Sequence, residues 1–228
     1  MQPQWQTASY EAGYDLAAER HKVLRNTYLL LALTMIPTAL GALAGISMHF
    51  MLRGWAGPLL FLGVSFAAFF AIGKTRNSPA GIVILLGWTG FMGLWLSQML
   101  QIALRFSNGG ELIAMAAVGT ALIFFTLAGI ATVTKKDFSF LGQFLFVGLI
   151  LLIIASIANL FLAIPAMALM VSVVAILIFS GYILYDVSQI VNGGETNYVI
   201  ATLQLYLDAY NIFVSLLNLL MAFSGDRR

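Results

Sequence analysis

Two carboxylates stand inside apolar stretches of this sequence. Asp186 lies in Gly181-Tyr-Ile-Leu-Tyr-Asp186-Val-Ser-Gln-Ile190, and Asp208 in Leu203-Gln-Leu-Tyr-Leu-Asp208-Ala-Tyr-Asn-Ile212. At membrane depth a carboxylate costs about 2.5–3.5 kcal/mol on insertion scales, so such a residue is a functional candidate by default. The link between the two stretches is short, 192–197. Counted from that link at 1.5 Å per residue, Asp186 lies roughly 9 Å deep and Asp208 roughly 16 Å. Antiparallel neighbouring helices would hold them within one or two turns of each other. Two close buried carboxylates cannot both ionise cheaply, and they titrate as a unit around a shared proton. Loss of that proton would push the helices apart or recruit a cation. The first outcome is a proton-gated switch on a bistable helix pair. The second is a hard-cation site, with Asp186 and Asp208 as oxygen ligands for Ca²⁺. A third reading is a structural seam in which protonated Asp fixes helix register.

The neighbours fit a polar seam. Gln204, Asp208, Asn211, Ser215 and Asn218 are spaced 4, 3, 4 and 3, which makes one stripe along a helix. Tyr182, Asp186 and Gln189 share a face of the preceding helix by the same spacing. No Lys or Arg lies at mid-depth in any apolar stretch to pair with the acids.

The elements that must carry these residues follow from composition. Of 228 residues, 61% are apolar and 9% charged, against about 45–50% and about 25% in soluble domains. Eleven Lys or Arg and nine Asp or Glu cannot cover a soluble sphere of this size. Low charge and high hydrophobicity also exclude disorder. There is no Cys, hence no disulfide or thiolate metal site. A net charge of +2 gives no footprint for nucleic acid. Lipid must replace the missing polar surface. A span needs roughly 20 apolar residues, and seven runs qualify: Tyr28 to Ser47, Leu59 to Gly73, Pro79 to Leu104, Leu112 to Val133, Phe140 to Ala163, Ala166 to Val191 and Tyr198 to Phe223. The expected fold is all-α, a polytopic membrane protein of seven transmembrane helices. A tail at 1–25 precedes a helical domain at 26–224, and 225–228 form a short end. Gly109-Gly110 and Gly193-Gly194 mark turns. Ser78-Pro79 reads as an N-cap followed by a first-turn proline.

The basic residues orient the chain. Arg20, Lys22, Arg25, Lys74, Arg76, Lys135 and Lys136 fall on one side, and Arg53 and Arg105 on the other, so the N-terminus is expected in the cytoplasm. Arg227 and Arg228 would favour a re-entrant last segment, but its long apolar run favours spanning. The basic residues, the apolar run and Ala42-Leu43-Ala44 imitate a signal peptide. The basic region starts too late for one, so a retained first helix kinked at Pro37 is expected. Gly41 and Gly45 then offer a small-xxx-small face, and Gly87, Gly90 and Gly93 permit close approach on the third span. Trp55 suits an interfacial anchor, while Trp88 and Trp95 share a face toward lipid or a neighbouring helix. In the tail, Glu11, Asp15 and Glu19 recur every fourth residue, one solvated face of a short helix or a handle for a partner. His21 and His49 stand alone, so a histidine metal site is not expected, and no cofactor is called for.

Tyr185-Asp186 with a second intramembrane Asp resembles intramembrane aspartyl proteases. There the second Asp sits in Gly-x-Gly-Asp, whereas here it follows Leu205-Tyr-Leu, so proteolysis is not expected. A closer resemblance is carried by His21-Lys-Val-Leu-Arg-Asn-Thr-Tyr28, Thr134-Lys-Lys-Asp-Phe-Ser-Phe-Leu-Gly142, Gly193-Gly-Glu-Thr-Asn-Tyr198 and Tyr210-Asn-Ile-Phe-Val-Ser-Leu-Leu217. From about residue 20 the whole chain resembles the Bax inhibitor-1/YccA family of transmembrane Bax-inhibitor-motif proteins. The resemblance implies a seven-helix bundle with the C-terminal helix central, in a bacterial inner membrane, and a protein that is not an enzyme. It implies one of two functions. The first is modulation of the FtsH membrane AAA protease, which grips the N-terminal tail. The second is a pH-sensitive calcium leak gated by an aspartate pair, whose positions match Asp186 and Asp208. Channel-type members carry a latching Arg in the second helix. Here the nearest are Arg53 and Arg76 at its ends, which puts that latch in doubt.

Overall fold

The computed structural model describes residues 4–52, 54 and 56–225, with side chains from residue 18 onward. Among these residues the chain forms seven helices: α1 (Gln4–Ser47), α2 (Ala56–Thr75), α3 (Pro79–Ala103), α4 (Gly109–Thr134), α5 (Leu141–Leu162), α6 (Pro165–Asn192) and α7 (Tyr198–Ser224). All seven are long and apolar enough to cross a bilayer. Their outward faces carry Phe66, Phe70, Phe125, Phe144 and Leu177, all exposed. In water such a surface would drive aggregation, whereas in lipid it is the solvated face. Arg53, Trp55, Arg227, Arg228 and the side chains of Glu11 and Asp15 lie outside the described residues.

α7 is the central element, packing against α1, α2, α3, α4 and α6. Leu205, Ile212 and Leu217 are fully buried on it. α5 sits outermost, against α6.

Close approach of α1 and α3 rests on missing side chains. A Cβ on Gly41 would strike the Gly90 carbonyl, one on Gly45 the Ser97 hydroxyl, and one on Gly93 the Thr38 carbonyl. The small-residue faces expected on both helices therefore meet each other. Gly87 departs from that expectation, because nothing lies within 4 Å of its would-be Cβ. α1 runs unbroken through Pro37 and through residue 25, so tail and span share one helix. Its 44 residues extend about 66 Å at 1.5 Å per residue, roughly twice the ~30 Å hydrocarbon thickness.

Gly109, expected in a turn, instead opens α4. A Cβ there would overlap the Ala103 carbonyl, so glycine lets the new helix start hard against the old one. Ser78 is the N-cap of α3, but its hydroxyl turns back to donate to the Thr75 carbonyl (2.9 Å). Trp88 faces a neighbour, not lipid. It is 3% exposed, packed edge-on against Phe69 and Tyr206.

Hydrogen bonds sort the connections into two ends. At one end, Asn197 Nδ2 donates to the Arg76 carbonyl (3.1 Å), and Asn192 Nδ2 to the Lys136 carbonyl (3.3 Å). Arg20 lies against Gly193 at the same end. At the other end, Gln101 Nε2 donates to the Phe50 carbonyl (3.1 Å), and Ser224 Oγ bonds Asn108 Oδ1 (3.1 Å). The last contact carries α7 to the end opposite its start, so the seventh segment spans and does not turn back.

Candidate functional site

The site is the α6–α7 hairpin. α6 stops because Gly193 takes a left-handed conformation (φ 85°), which glycine adopts without a Cβ penalty. The Gly194 and Glu195 amides then both donate to the Gln189 carbonyl, at 2.7 and 3.1 Å. α7 starts at Asn197, whose Oδ1 accepts from the Val199 and Ile200 amides at 3.0 and 3.1 Å. This satisfies two of the four orphan donors of a helix start. The Asn197 amide group reaches the other way, to the Arg76 carbonyl and to Asn77 Oδ1 (2.7 Å). One side chain thus begins α7 and ties it to the α2–α3 link. Replacing Asn197 by Ala should cost about 1–2 kcal/mol, the worth of a cap plus its bridge. Asn197→Asp keeps the acceptor and should recover part of that loss. Thermal unfolding in detergent measures both, and an Ala variant that melts with the wild type would refute the cap.

Asp186 and Asp208 meet. Asp186 is 5% exposed and Asp208 4%, and the two side chains lie within hydrogen-bonding reach of each other. Counting along the helices left an offset of one to two turns, which packing closes. Asp208 Oδ2 is buried with no hydrogen-bond partner. A carboxylate oxygen in that position lacks the water or donor that burial requires. Tyr182, one turn up α6, lies near enough to interact with both acids, and Glu195 in the link near enough to interact with Asp186.

The expected seam is only partly formed. Asn218 Nδ2 donates across to Ser172 Oγ on α6 (2.8 Å). Asn211 instead bonds its own helix, at the Leu207 carbonyl (2.8 Å). Ser215 is buried and Gln204 half-buried on α7. Gln189 leaves the seam altogether and donates to Ser139 Oγ in the α4–α5 link (2.8 Å). At 100° per residue, three positions place it about 60° around the helix from Asp186, enough to face a different neighbour.

Several side chains at this site gave no signal beforehand. Ser188, 1% exposed, accepts from the Phe138 amide and donates to the Lys136 carbonyl, both at 3.0 Å. It pins the α4–α5 link to α6. In that link Asp137 accepts from the Ser139 amide and hydroxyl, which holds its carboxyl below the usual range. Thr38 Oγ1 shares a hydrogen bond with Tyr206 OH (3.0 Å) and reaches the Thr89 carbonyl (3.2 Å), joining α1, α3 and α7 behind the acidic pair. Asn197 alone had a legible signal, as a cap-type residue directly before an apolar run.

For a metal, the pair offers two carboxylates. Among the described residues no group of three or more His, Cys, Asp or Glu converges. Ca²⁺ takes about 6–8 oxygens, so carbonyls and water would have to complete its shell.

Comparison with known proteins adds an independent line. The family model described as "Inhibitor of apoptosis-promoting Bax1" matches residues 20–225. The "Modulator of FtsH protease YccA" of Escherichia coli K12 is 46% identical over 206 residues, covering 90% of this chain and 92% of that one. An "Inner membrane protein YccA" of Escherichia coli O6:H1 matches to the same extent. An uncharacterised protein of Pseudomonas aeruginosa is 39% identical over 223 residues, covering 97% of this chain and 99% of the relative.

Proposed function

The chain belongs to the Bax inhibitor-1 family, and from that membership we propose that it binds and modulates an FtsH-type AAA protease in a bacterial inner membrane. The carrying observation is 46% identity across nine-tenths of the chain to a protein named as a modulator of that protease. The chain acts here as a binding and regulatory protein, without catalysis of its own. Its N-terminus faces the cytoplasm, because Arg20, Lys22, Arg25, Lys74, Arg76, Lys135 and Lys136 gather at one end of the bundle. The length of α1 supports a grip on that side. A helix of 44 residues cannot be contained in the bilayer, so its first turns project as a handle continuous with the first span.

Deleting residues 1–17 tests this. The full chain should co-purify with the protease and be turned over by it, and the shortened chain should escape turnover. If the tagged full chain never brings the protease down, the reading fails.

The contact between Asp186 and Asp208 favours a second reading, a calcium leak in which the pair holds the pathway shut while it shares a proton. Purified protein in liposomes should then pass Ca²⁺ at one end of the pH range and not at the other. No flux at any pH would end that reading.

A further inference from the structure

An open pocket of about 450 Å³ lies at the basic end of the bundle, and neither Asp186 nor Asp208 lines it. Glu19, Arg20, Lys22 and Asn26 of α1 line one wall, and Gly193 and Glu195 of the α6–α7 link line the other. Two cations and two carboxylates cancel. A pocket for a simple anion would be lined by one sign, which concentrates the field on the ligand. A neutral pocket lined by both signs suits a ligand that carries both.

Depth narrows the ligand. Lys22 and Arg20 precede Tyr28 by six and eight residues, which puts them about 9–12 Å outside the start of the apolar run. The headgroup zone adds roughly 5–8 Å on each side of the hydrocarbon. Asn26, two residues before Tyr28, and Tyr198, which opens the last apolar run, also line the pocket, so it opens across that zone with Arg20 and Lys22 just beyond its outer edge. The donors are suitably placed. Gly193 is left-handed and leaves room for Arg20, whose Nε would come within 2.8 Å of a Cβ there. The guanidinium fork matches phosphate oxygens two at a time. Glu195 Oε1 already accepts from the Asn197 amide (2.7 Å). Its carboxylate can also accept from a further N–H donor, which a primary ammonium supplies and a quaternary one does not.

We propose that this pocket binds the headgroup of a phosphoethanolamine lipid, with the phosphate on Arg20 and Lys22 and the ammonium on Glu19 and Glu195. The bound lipid would bridge α1 to the link that carries the acidic hairpin.

The test uses the full chain in detergent, stripped of lipid and reloaded with phosphatidylethanolamine, phosphatidylcholine or phosphatidylglycerol. Native mass spectrometry counts the lipid retained. Phosphatidylethanolamine should be held about tenfold over the other two, the ratio for about 1.4 kcal/mol. Glu19→Gln with Glu195→Gln should erase the preference over phosphatidylcholine and leave phosphatidylcholine retention unchanged. Arg20→Gln with Lys22→Gln should lower retention of all three. Glu195→Asp, with Glu19 intact, should keep the preference and shows that the site tolerates exchange. Equal retention of the three lipids by the wild type overturns the proposal, as does a preference that both double variants leave intact. Glycerophosphoethanolamine carries the same headgroup without acyl chains. If it stabilises the stripped chain as much as the lipid does, the ligand is a soluble compound and the lipid assignment falls. Equal stabilisation by inorganic phosphate removes the need for the ammonium and also overturns it.

Discussion

Gly93→Val should lose about 3 kcal/mol or more of stability, the upper part of the range for overpacking a filled interior. The new Cβ would land on the backbone of Thr38, with its carbonyl carbon at 2.7 Å and its Cα at 2.9 Å. Backbone inside a helix cannot step aside as a flexible side chain can, so α1 must move as a body. That movement has a second cost. Thr38 shares its hydroxyl with Tyr206 and the Thr89 carbonyl, so shifting α1 also breaks the link to α7. Trp88, packed on Tyr206, loses its neighbour in turn. In detergent melts the midpoint should fall by roughly 6–12 °C, taking about 2–4 °C per kcal/mol for a chain of this size. Gly87→Ala is the control. It lies on the same helix with open space beside it and should gain about 0.5–1 kcal/mol from the better helix former. Equal melting of the two variants would show that the α1–α3 contact is looser than the structure has it.

The second expected result concerns the acidic pair. Asp186→Asn together with Asp208→Asn should abolish any dependence of the α6–α7 arrangement on pH. Two unit charges about 4 Å apart repel by about 4 kcal/mol at an effective dielectric constant of 20. Glu195 adds like charge from the link, and Tyr182 brings no cation. One bridging proton removes the repulsion and supplies the orphaned Asp208 Oδ2 with a partner. The sign follows. The closed hairpin is held where the proton is bound, and its stability falls as pH rises and the proton leaves. The doubly amidated variant has no charge to gain, so its hairpin should not respond. The chain has no Cys, so two introduced thiols report alone. Spin labels at Met170 on α6 and Phe223 on α7, both exposed, should separate as pH rises in the wild type and stay fixed in the variant. A wild-type distance that does not change with pH would make the pair a structural seam.

The spans were legible because hydropathy is a local sum. Seven apolar runs of sufficient length leave little choice in a medium that satisfies no backbone group. α2 to α7 match those runs within three residues at each end, while α1 ends with its run but begins 24 residues before it. Gly41, Gly45, Gly90 and Gly93 were legible as small faces for the same reason. Which helix each face would meet was not, and Gly87, of identical type on the same helix, meets nothing. The seam shows the limit most clearly. A spacing of 4, 3, 4 and 3 defines a stripe on α7, yet Asp208 and Asn218 reach α6 from it while Asn211 bonds its own helix. Spacing gives the angle of a side chain about its own axis, while the neighbour's position depends on how every other helix packs.

By itself, then, the amino-acid sequence determined a membrane bundle, its span count and the isolation of Asp186 and Asp208 as acids without a basic partner. These are properties of single segments and of counts. The tertiary structure decided that the two acids touch, that Gln189 turns away to Ser139, and that Asn197 and Ser188 lock the links at one end. It also decided that opposite charges from α1 and the α6–α7 link share a pocket. Each of these depends on helix rotation and sub-turn offsets between segments distant in sequence, which are settled by packing and cannot be summed from local preference.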